Sequence, residues 1–170
     1  METTKNKLTP KQNEFFDELR NYLDKPIYFY GSIQRDDYFP KSSDIDIDIF
    51  TDNFNSTIYK LQNFLHLSKG DFKKFVYKIK DQVVYGYKCK YKNEDINLKV
   101  EMAIFNEKYK NLVLKDHSKD LSLPFYVMIA LIILKFLYYN LSIISKEFFQ
   151  RCKRFIMNDN DELKFISLDI

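Results

Sequence analysis

The chain contains little tryptophan, glycine, proline or cysteine. It has no tryptophan, three glycines, four prolines and two cysteines among 170 residues. Because Cys89 and Cys152 make neither a disulfide framework nor a zinc-ligand set, free thiols in a reducing compartment are the simplest account. The first residues also lack the apolar segment of a secretory signal. We therefore expect a cytoplasmic protein.

Neither sign of charge dominates the composition. The chain has 27 basic and 24 acidic side chains and a net charge of +3, so composition alone does not indicate a nucleic-acid partner. The basic residues are unevenly distributed, however, since nine lysines and four acids lie within residues 69–99. This distribution favours a polyanionic substrate. A solvated sheet face with lysines that prevent edge-to-edge aggregation is the alternative.

One apolar stretch is a candidate membrane segment by composition. Residues 121–145 carry a single charge, Lys135, and the charge-free part, 121–134, has 14 residues. Runs of about 10 to 14 residues more often form buried helices than bilayer spans. We therefore expect a buried helix here, and no contact of the protein with a membrane.

The chain has ample material for a hydrophobic core. It is 45% hydrophobic and 17% aromatic, which argues against global disorder. Its length fits one domain, or a compact domain with a helical extension. We predict a core domain over residues 1–120, followed by a C-terminal helical segment over residues 121–170 that packs on the core.

Hydrophobic periodicity and turn residues predict the order of the elements. Helices are predicted over residues 10–24, 53–67, 123–139 and 145–157, and strands over residues 27–30, 43–50, 72–80, 82–91 and 96–105. Residues 106–120 are predicted to be a polar connection, and the last thirteen residues a frayed or lightly docked tail. This order predicts an α+β fold in which a small mixed β-sheet carries helices on one face.

The most informative residues lie between the first two predicted strands. Residues 27–30 lead into Gly31-Ser32, and after eleven further residues Asp44, Asp46 and Asp48 alternate with isoleucines. Residues two apart in a strand point to the same face, so the carboxylates are predicted on one face and the isoleucines behind them. Carboxylates aligned in this way repel one another unless cations lie between them, and divalent cations prefer such oxygen ligands.

This pattern resembles the signature of the DNA polymerase β-like nucleotidyltransferase superfamily, in which Gly-Ser and a spacer precede Asp-apolar-Asp. Residues 43–46 are also similar to the form found in minimal nucleotidyltransferases. The resemblance implies the polymerase β-like fold, a nucleoside triphosphate seated on Gly31-Ser32, and two Mg²⁺ or Mn²⁺ ions on Asp44 and Asp46. Asp46 with Asp48 is the alternative pair, but the eleven-residue spacer favours Asp44 with Asp46.

The superfamily also needs a third carboxylate on a later strand. Glu101 lies on the polar face of the predicted strand 96–105, where the family usually has Asp. We expect Glu101 to be a metal ligand and the general base for the incoming hydroxyl. Asp95 in the preceding turn is the competing candidate. A chain with no functional third acid would be a degenerate enzyme.

Two cations are candidates for nucleotide binding. Arg35 falls where many minimal nucleotidyltransferases carry an arginine. Lys135 lies alone in an apolar helix, so it must reach solvent, pair with an acid or face the catalytic cleft. The resemblance implies a triphosphate-binding lysine on a helix after the third acid, and we assign that role to Lys135. His66 and His117 have no neighbouring ligand set and are expected at a helix end and in a loop.

The resemblance implies a metal-dependent nucleotidyltransferase that moves a nucleoside monophosphate from a triphosphate to an acceptor hydroxyl and releases pyrophosphate. The lysines of residues 69–99 slightly favour a nucleic-acid 3′ end as the acceptor. The alternatives are a protein hydroxyl, as in antitoxin-like minimal nucleotidyltransferases that modify a toxin partner, and a small molecule. A catalytically silent binding scaffold with the same fold is the alternative from a different class.

Overall fold

The computed structural model describes residues 2–119 and 121–157, and the backbone of residues 165–168. Its helices are Pro10–Leu23 (α1), Phe54–Leu65 (α2), Lys110–Lys119 (α3), Phe125–Tyr139 (α4) and Lys146–Ile156 (α5). Its strands are Ile27–Tyr30 (β1), Ile45–Phe50 (β2), Lys73–Ile79 (β3), Gln82–Asn93 (β4), Leu98–Phe105 (β5) and Phe165–Leu168 (β6). This arrangement confirms the predicted α+β fold.

Local sequence signals determine both ends of α1. The side chain of Thr9 accepts a hydrogen bond from the backbone N–H of Gln12, whose side chain accepts one from the backbone N–H of Thr9. Pro10 occupies the first helical position, where a missing N–H has no cost. At the other end Asp24 adopts a left-handed conformation with φ of 54° and caps the helix. The helix then buries its apolar side against the sheet.

The described strands form one mixed sheet in the order β1-β2-β5-β4-β3-β6. Its neighbouring strands are antiparallel, except that β2 and β5 run parallel. The parallel register places Asp46 beside Glu101 and Asp48 beside Ala103. Because β2 and β5 each have a partner strand on both sides, these acids lie inside the sheet and not at its edge.

Side-chain alternation gives the sheet two faces with separate apolar clusters. On the first face, Ile45, Ile47 and Ile49 join a large cluster that includes residues of α1 and α2. On the second face, a smaller cluster contains Phe105 of β5 and Val113 of α3. The polar residues of β2 and β5 emerge on this second face, beside the smaller cluster. The isoleucines therefore pack behind the acids, as the alternation predicts.

Two segments differ from the sequence prediction. Residues 106–120, predicted to be a polar connection, contain a short 3-10 helix at Glu107–Tyr109 and then α3. The buried residues of α3 are Val113 and His117, so its apolar pattern is too sparse to be recognised. Residues 165–168 of the expected frayed tail form β6, which pairs with β3. The tail residues 158–164 and 169–170 lie outside the described residues.

The apolar helix α4 is only partly buried. Its buried residues are Leu131, Leu134 and Lys135. Its outer side exposes five large apolar side chains: Phe125, Tyr126, Ile129, Ile133 and Phe136. The prediction of a buried helix is therefore wrong for this outer side. Among the residues that the structure describes, no helix combines the length and the apolar character needed to cross a membrane.

Gly86 lies where β4 passes close to two neighbours, and this contact gives a test of the packing. A Cβ atom at Gly86 would lie 2.6 Å from the carbonyl oxygen of Ile104 and 2.9 Å from the Cζ atom of Phe75. Because that carbonyl belongs to the paired strand β5, we expect Gly86→Ala to lower the free energy of unfolding by about 1–3 kcal/mol. Equilibrium unfolding in urea measures this change.

Gly70→Ala is the matched control, since a Cβ atom there would meet only the Oγ atom of Ser68, at 3.8 Å. We expect this variant to have nearly wild-type stability. If Gly86→Ala proved as stable as Gly70→Ala, the close approach of β4 to β5 and Phe75 would be refuted.

Candidate active site

The turn after β1 brings the backbone against the acids of β2. Gly31 begins a 3-10 helix, Gly31–Gln34, and its φ of +69° lies in the left-handed region that favours glycine. A side chain at Gly31 would also collide with the Oδ2 atom of Asp46. Both the backbone conformation and the close approach therefore require glycine here. The Gly-Ser turn and Asp46, which the sequence assigned to one site, do lie together.

Four side chains from four strands form a row across the second face of the sheet. The registers pair Tyr30 with Asp46, Asp46 with Glu101, and Glu101 with Lys90. Asp46 and Glu101 are half-buried, whereas Asp44, just before β2, is exposed. Asp44 is close enough for its charge to act on Asp46. The structure thus brings the three predicted acids to one end of the β2–β5 pair.

The environment of Asp46 disfavours its charged form. Burial, followed by the negative charge of Glu101, raises the pKa of Asp46 to about 7, although Lys153 and Lys88 act in the opposite direction. A carboxylate that is difficult to ionise beside a second carboxylate is stabilised when a divalent cation binds between them. Carboxylate oxygens are also the ligands that Mg²⁺ prefers. The residues present therefore fit a divalent cation.

Glu101 is held by two lysines of β4. One of its oxygens forms an ion pair with Lys88, and its Oε2 lies 2.9 Å from the Nζ atom of Lys90. Burial alone would raise the pKa of Glu101, but these two cations outweigh it and hold the pKa below its usual range. Within the described residues, no group of three acidic, histidine or cysteine side chains is preassembled for a metal ion. In the structure the charge of Glu101 is therefore neutralised by Lys88 and Lys90.

Asp48 lies further along the same strand in a different environment. It is fully buried, and its Oδ2 is 2.8 Å from the Nδ1 atom of His117 on α3. The imidazole of His117 stacks on the ring of Tyr30, with centroids 4.1 Å apart. Burial raises the pKa of Asp48, although His117 opposes this shift. Asp48 thus holds the imidazole that stacks on Tyr30, on the same face of the sheet as the row.

The expectation that His117 lies in a loop is wrong, because His117 lies on α3. Val113 and His117 are four residues apart, so they lie on one side of the helix and are buried together. That spacing was the only local signal in the sequence for the buried histidine. Its pairing with Asp48, 69 residues away in sequence, had no local signal.

The two cations expected to bind nucleotide meet at a buried carboxylate. The Nε atom of Arg35 lies 2.8 Å from one oxygen of Asp37, and the Nζ atom of Lys135 lies 2.8 Å from the other. Lys135 also donates a hydrogen bond to the Asp37 carbonyl oxygen, at 2.7 Å. Burial opposes ionisation of Asp37, but both cations outweigh it and lower the pKa of that carboxyl. Of the three outcomes open to Lys135, the structure shows pairing with an acid.

The C-terminal helices lie beside the start of β2. Burial, followed by the charge of Asp44, raises the pKa of Tyr139, at the end of α4, to about 12. Phe149 of α5 packs against Tyr139, with ring centroids 5.8 Å apart. Lys153 follows Phe149 by four residues and acts electrostatically on Asp46. Sequence reasoning missed Tyr139 and Lys153, because no motif marks them.

The raised pKa of Asp46 predicts a pH-dependent stability in the metal-free protein. Between the ordinary pKa of 3.8 and the raised pKa of about 7, folded Asp46 holds a proton that the unfolded chain releases. The contribution of Asp46 to the free energy of unfolding therefore falls as the pH rises through this window. We expect wild-type protein to lose stability relative to Asp46→Asn between about pH 5 and about pH 8, measured by urea unfolding in chelator. A difference that stays constant with pH would contradict the environment described for Asp46.

The contact between Asp48 and His117 gives a second test. His117→Phe keeps a ring stacked on Tyr30 but leaves the Oδ2 atom of buried Asp48 without this partner, so we expect a loss of about 1–3 kcal/mol in the free energy of unfolding. A second substitution, Asp48→Leu, should recover part of this loss, because both polar partners are then gone. Strictly additive losses in a double-mutant cycle would show that the two residues do not interact.

Comparison with known proteins agrees with this geometry. The profile of the family described as "Nucleotidyltransferase domain" matches residues 10–122 of the chain. These residues include α1, the strands β1 to β5 and the acids Asp44, Asp46 and Glu101. No curated protein and no solved structure matches the chain. Because the profile covers more than half of the chain, the protein belongs to the nucleotidyltransferase domain family, and this membership supports a transferase that moves nucleotidyl groups.

Proposed function

We propose that the protein is a metal-dependent nucleotidyltransferase that moves a nucleoside monophosphate from a triphosphate to an acceptor hydroxyl. The observation that carries this proposal is the placement of Asp46 beside Glu101 on parallel strands, with the backbone of Gly31 against Asp46. Family membership supports the nature of the transferred group. In the reaction, a bond forms between the acceptor oxygen and the α-phosphorus, and the bond from that phosphorus to pyrophosphate breaks.

We assign the binding of Mg²⁺ or Mn²⁺, as two ions, to Asp44, Asp46 and Glu101. Asp44 is a better partner for Asp46 than Asp48 is, because Asp48 is fully buried and engaged by His117. When bound, such ions polarise the acceptor hydroxyl and neutralise the departing pyrophosphate. The chain provides the carboxylate oxygens that hold them.

The other residues of the site bind and orient the substrates. The turn at Gly31-Ser32 offers backbone N–H groups and a hydroxyl to the triphosphate, as anion-binding turns do. We assign Glu101 the role of general base, which takes the proton of the acceptor hydroxyl on its carboxylate. We assign Arg35 and Lys135 a supporting role in nucleotide binding, since both hold the loop after the turn through Asp37.

The acceptor that we favour is a nucleic-acid 3′ end. Lys88 and Lys90 lie directly at Glu101, so an acceptor that carries phosphate would meet positive charge there. A protein acceptor is the second candidate. It is favoured by the apolar side chains exposed on α4, since exposed apolar patches often mark interaction surfaces.

Removal of both acids tests the proposed mechanism. We expect Asp44→Asn/Asp46→Asn to release pyrophosphate from nucleoside triphosphates at least about 100-fold more slowly, because the site loses the charges that stabilise the transition state. A pyrophosphate assay with each triphosphate in Mg²⁺ and Mn²⁺ measures this rate. Asp52→Asn is the matched control, since Asp52 is exposed beyond the far end of β2.

Wild-type turnover by the double variant would refute the mechanism. A wild-type protein that turns over none of the triphosphates, and whose melting temperature none of them raises in either metal, would instead indicate a binding scaffold. Assays of the wild-type protein and the double variant therefore distinguish an enzyme from a binding scaffold.

A further inference from the structure

A cavity of about 530 Å³ opens beside Glu101. Its volume lies within the range of about 300–1,000 Å³ that is typical of ligand sites. Its walls include Lys73 and Phe75 of β3, Lys88 and Lys90 of β4, and Glu101 of β5. The cavity therefore adjoins the carboxylate to which we assign the acceptor proton.

The strand registers place the charged walls of the cavity on the second face of the sheet. Lys73 is paired with Lys88, and Lys90 is paired with Glu101. Since paired residues share a face, all three lysines leave the sheet on the side that carries Asp46. The lysines of the cavity are thus neighbours of the metal-binding acids and not part of a remote surface.

An aromatic ring contributes to the apolar part of the cavity. Phe75 lies against Gly86, where a Cβ atom would come within 2.9 Å of the ring. The edge of the same ring packs on Phe105, with centroids 5.4 Å apart. Gly86 therefore leaves room for this buried ring, which lines the cavity together with the three lysines. Single-stranded nucleic acids bind in positively charged grooves that follow their backbone.

The charges of the cavity favour a ligand that carries phosphate. Its acidic residues are Asp71 and Glu101, against three lysines. Two of these lysines now neutralise Glu101. A phosphodiester bound in the cavity would replace Glu101 as the anionic partner of Lys88 and Lys90. Glu101 would then be available to the reacting hydroxyl. A peptide with only a hydroxyl side chain would not make use of these cations.

We propose that this cavity is the acceptor site and that it holds the 3′-terminal nucleotide of a single-stranded nucleic acid, with Lys73, Lys88 and Lys90 at its phosphates. This inference rests on the proposed function, because it places the terminal hydroxyl at Glu101. It deepens that proposal by giving the acceptor a binding surface, which is formed by lysines outside the predicted motif.

The matched pair Lys73→Glu and Lys78→Glu tests the inference. Both lysines are exposed on β3, but they are five residues apart and therefore leave opposite faces of the sheet. Fluorescence anisotropy with a 5′-labelled single-stranded oligonucleotide, as RNA and as DNA, measures binding in chelator, where no transfer occurs. Thermal unfolding of each variant verifies that it is folded.

We expect Lys73→Glu to weaken binding about tenfold, and to reduce the slope of log affinity against log salt by about 0.7. Lys78→Glu should change the affinity less than about twofold, and Lys73→Arg should retain binding, because it keeps the charge. A circular oligonucleotide of the same sequence should bind more weakly than the linear one, because it has no terminus.

Three results would overturn the acceptor site: equal effects of the two charge reversals, equal affinity for linear and circular oligonucleotides, or no binding of RNA and DNA by the wild-type protein. Transfer of labelled nucleotide only to protein in a mixture of acceptors would also overturn it. Failure of the proposed function looks different, since Asp44→Asn/Asp46→Asn would then keep its turnover while Lys73→Glu still lost oligonucleotide binding.

Discussion

The central constraint on the candidate site is the repulsion between two carboxylates, Asp46 and Glu101, which neighbouring parallel strands place side by side. The pairing of β2 with β5 holds the backbones of Asp46 and Glu101 side by side. Burial, followed by this repulsion, raises the pKa of Asp46. Lys88 and Lys90 relieve it from the side of Glu101. A divalent cation between the carboxylates would relieve it more directly, and this competition between lysines and metal is the physical basis of the proposed site.

The surroundings of the two carboxylates keep this arrangement rigid. The isoleucines of β2 pack on α1 and α2 behind the acids, so the strand cannot rotate its polar side away. Gly31 brings the backbone of the turn against Asp46. The buried ion pairs of Asp37 with Arg35 and Lys135 connect α4 to the loop that follows this turn. Three separate parts of the chain thus converge on one end of the β2–β5 pair.

Features encoded by neighbouring residues could be predicted from the sequence, whereas long-range pairings could not. The alternation around Asp46 and the Gly31 turn are local patterns, and the structure places them together as the resemblance implies. The contact of Lys135 with Asp37 joins residues 98 apart, and many acids in the sequence were equally available to that lysine. The pairing of Glu101 with Lys90 depends on the strand register, which charge patterns alone do not determine. The exposed side of α4 could not be predicted either, because a helix that is apolar all round gives no indication of which side packs on the protein.

Crystals grown with Mn²⁺ and a non-hydrolysable nucleoside triphosphate test the central claim most directly, because anomalous scattering locates the metal independently of activity. The account predicts an anomalous peak within bonding distance of both Asp46 and Glu101, with Glu101 released from Lys88 and Lys90. A structure in which the triphosphate is bound, no peak lies at Asp46, and both lysines still hold Glu101 would contradict it.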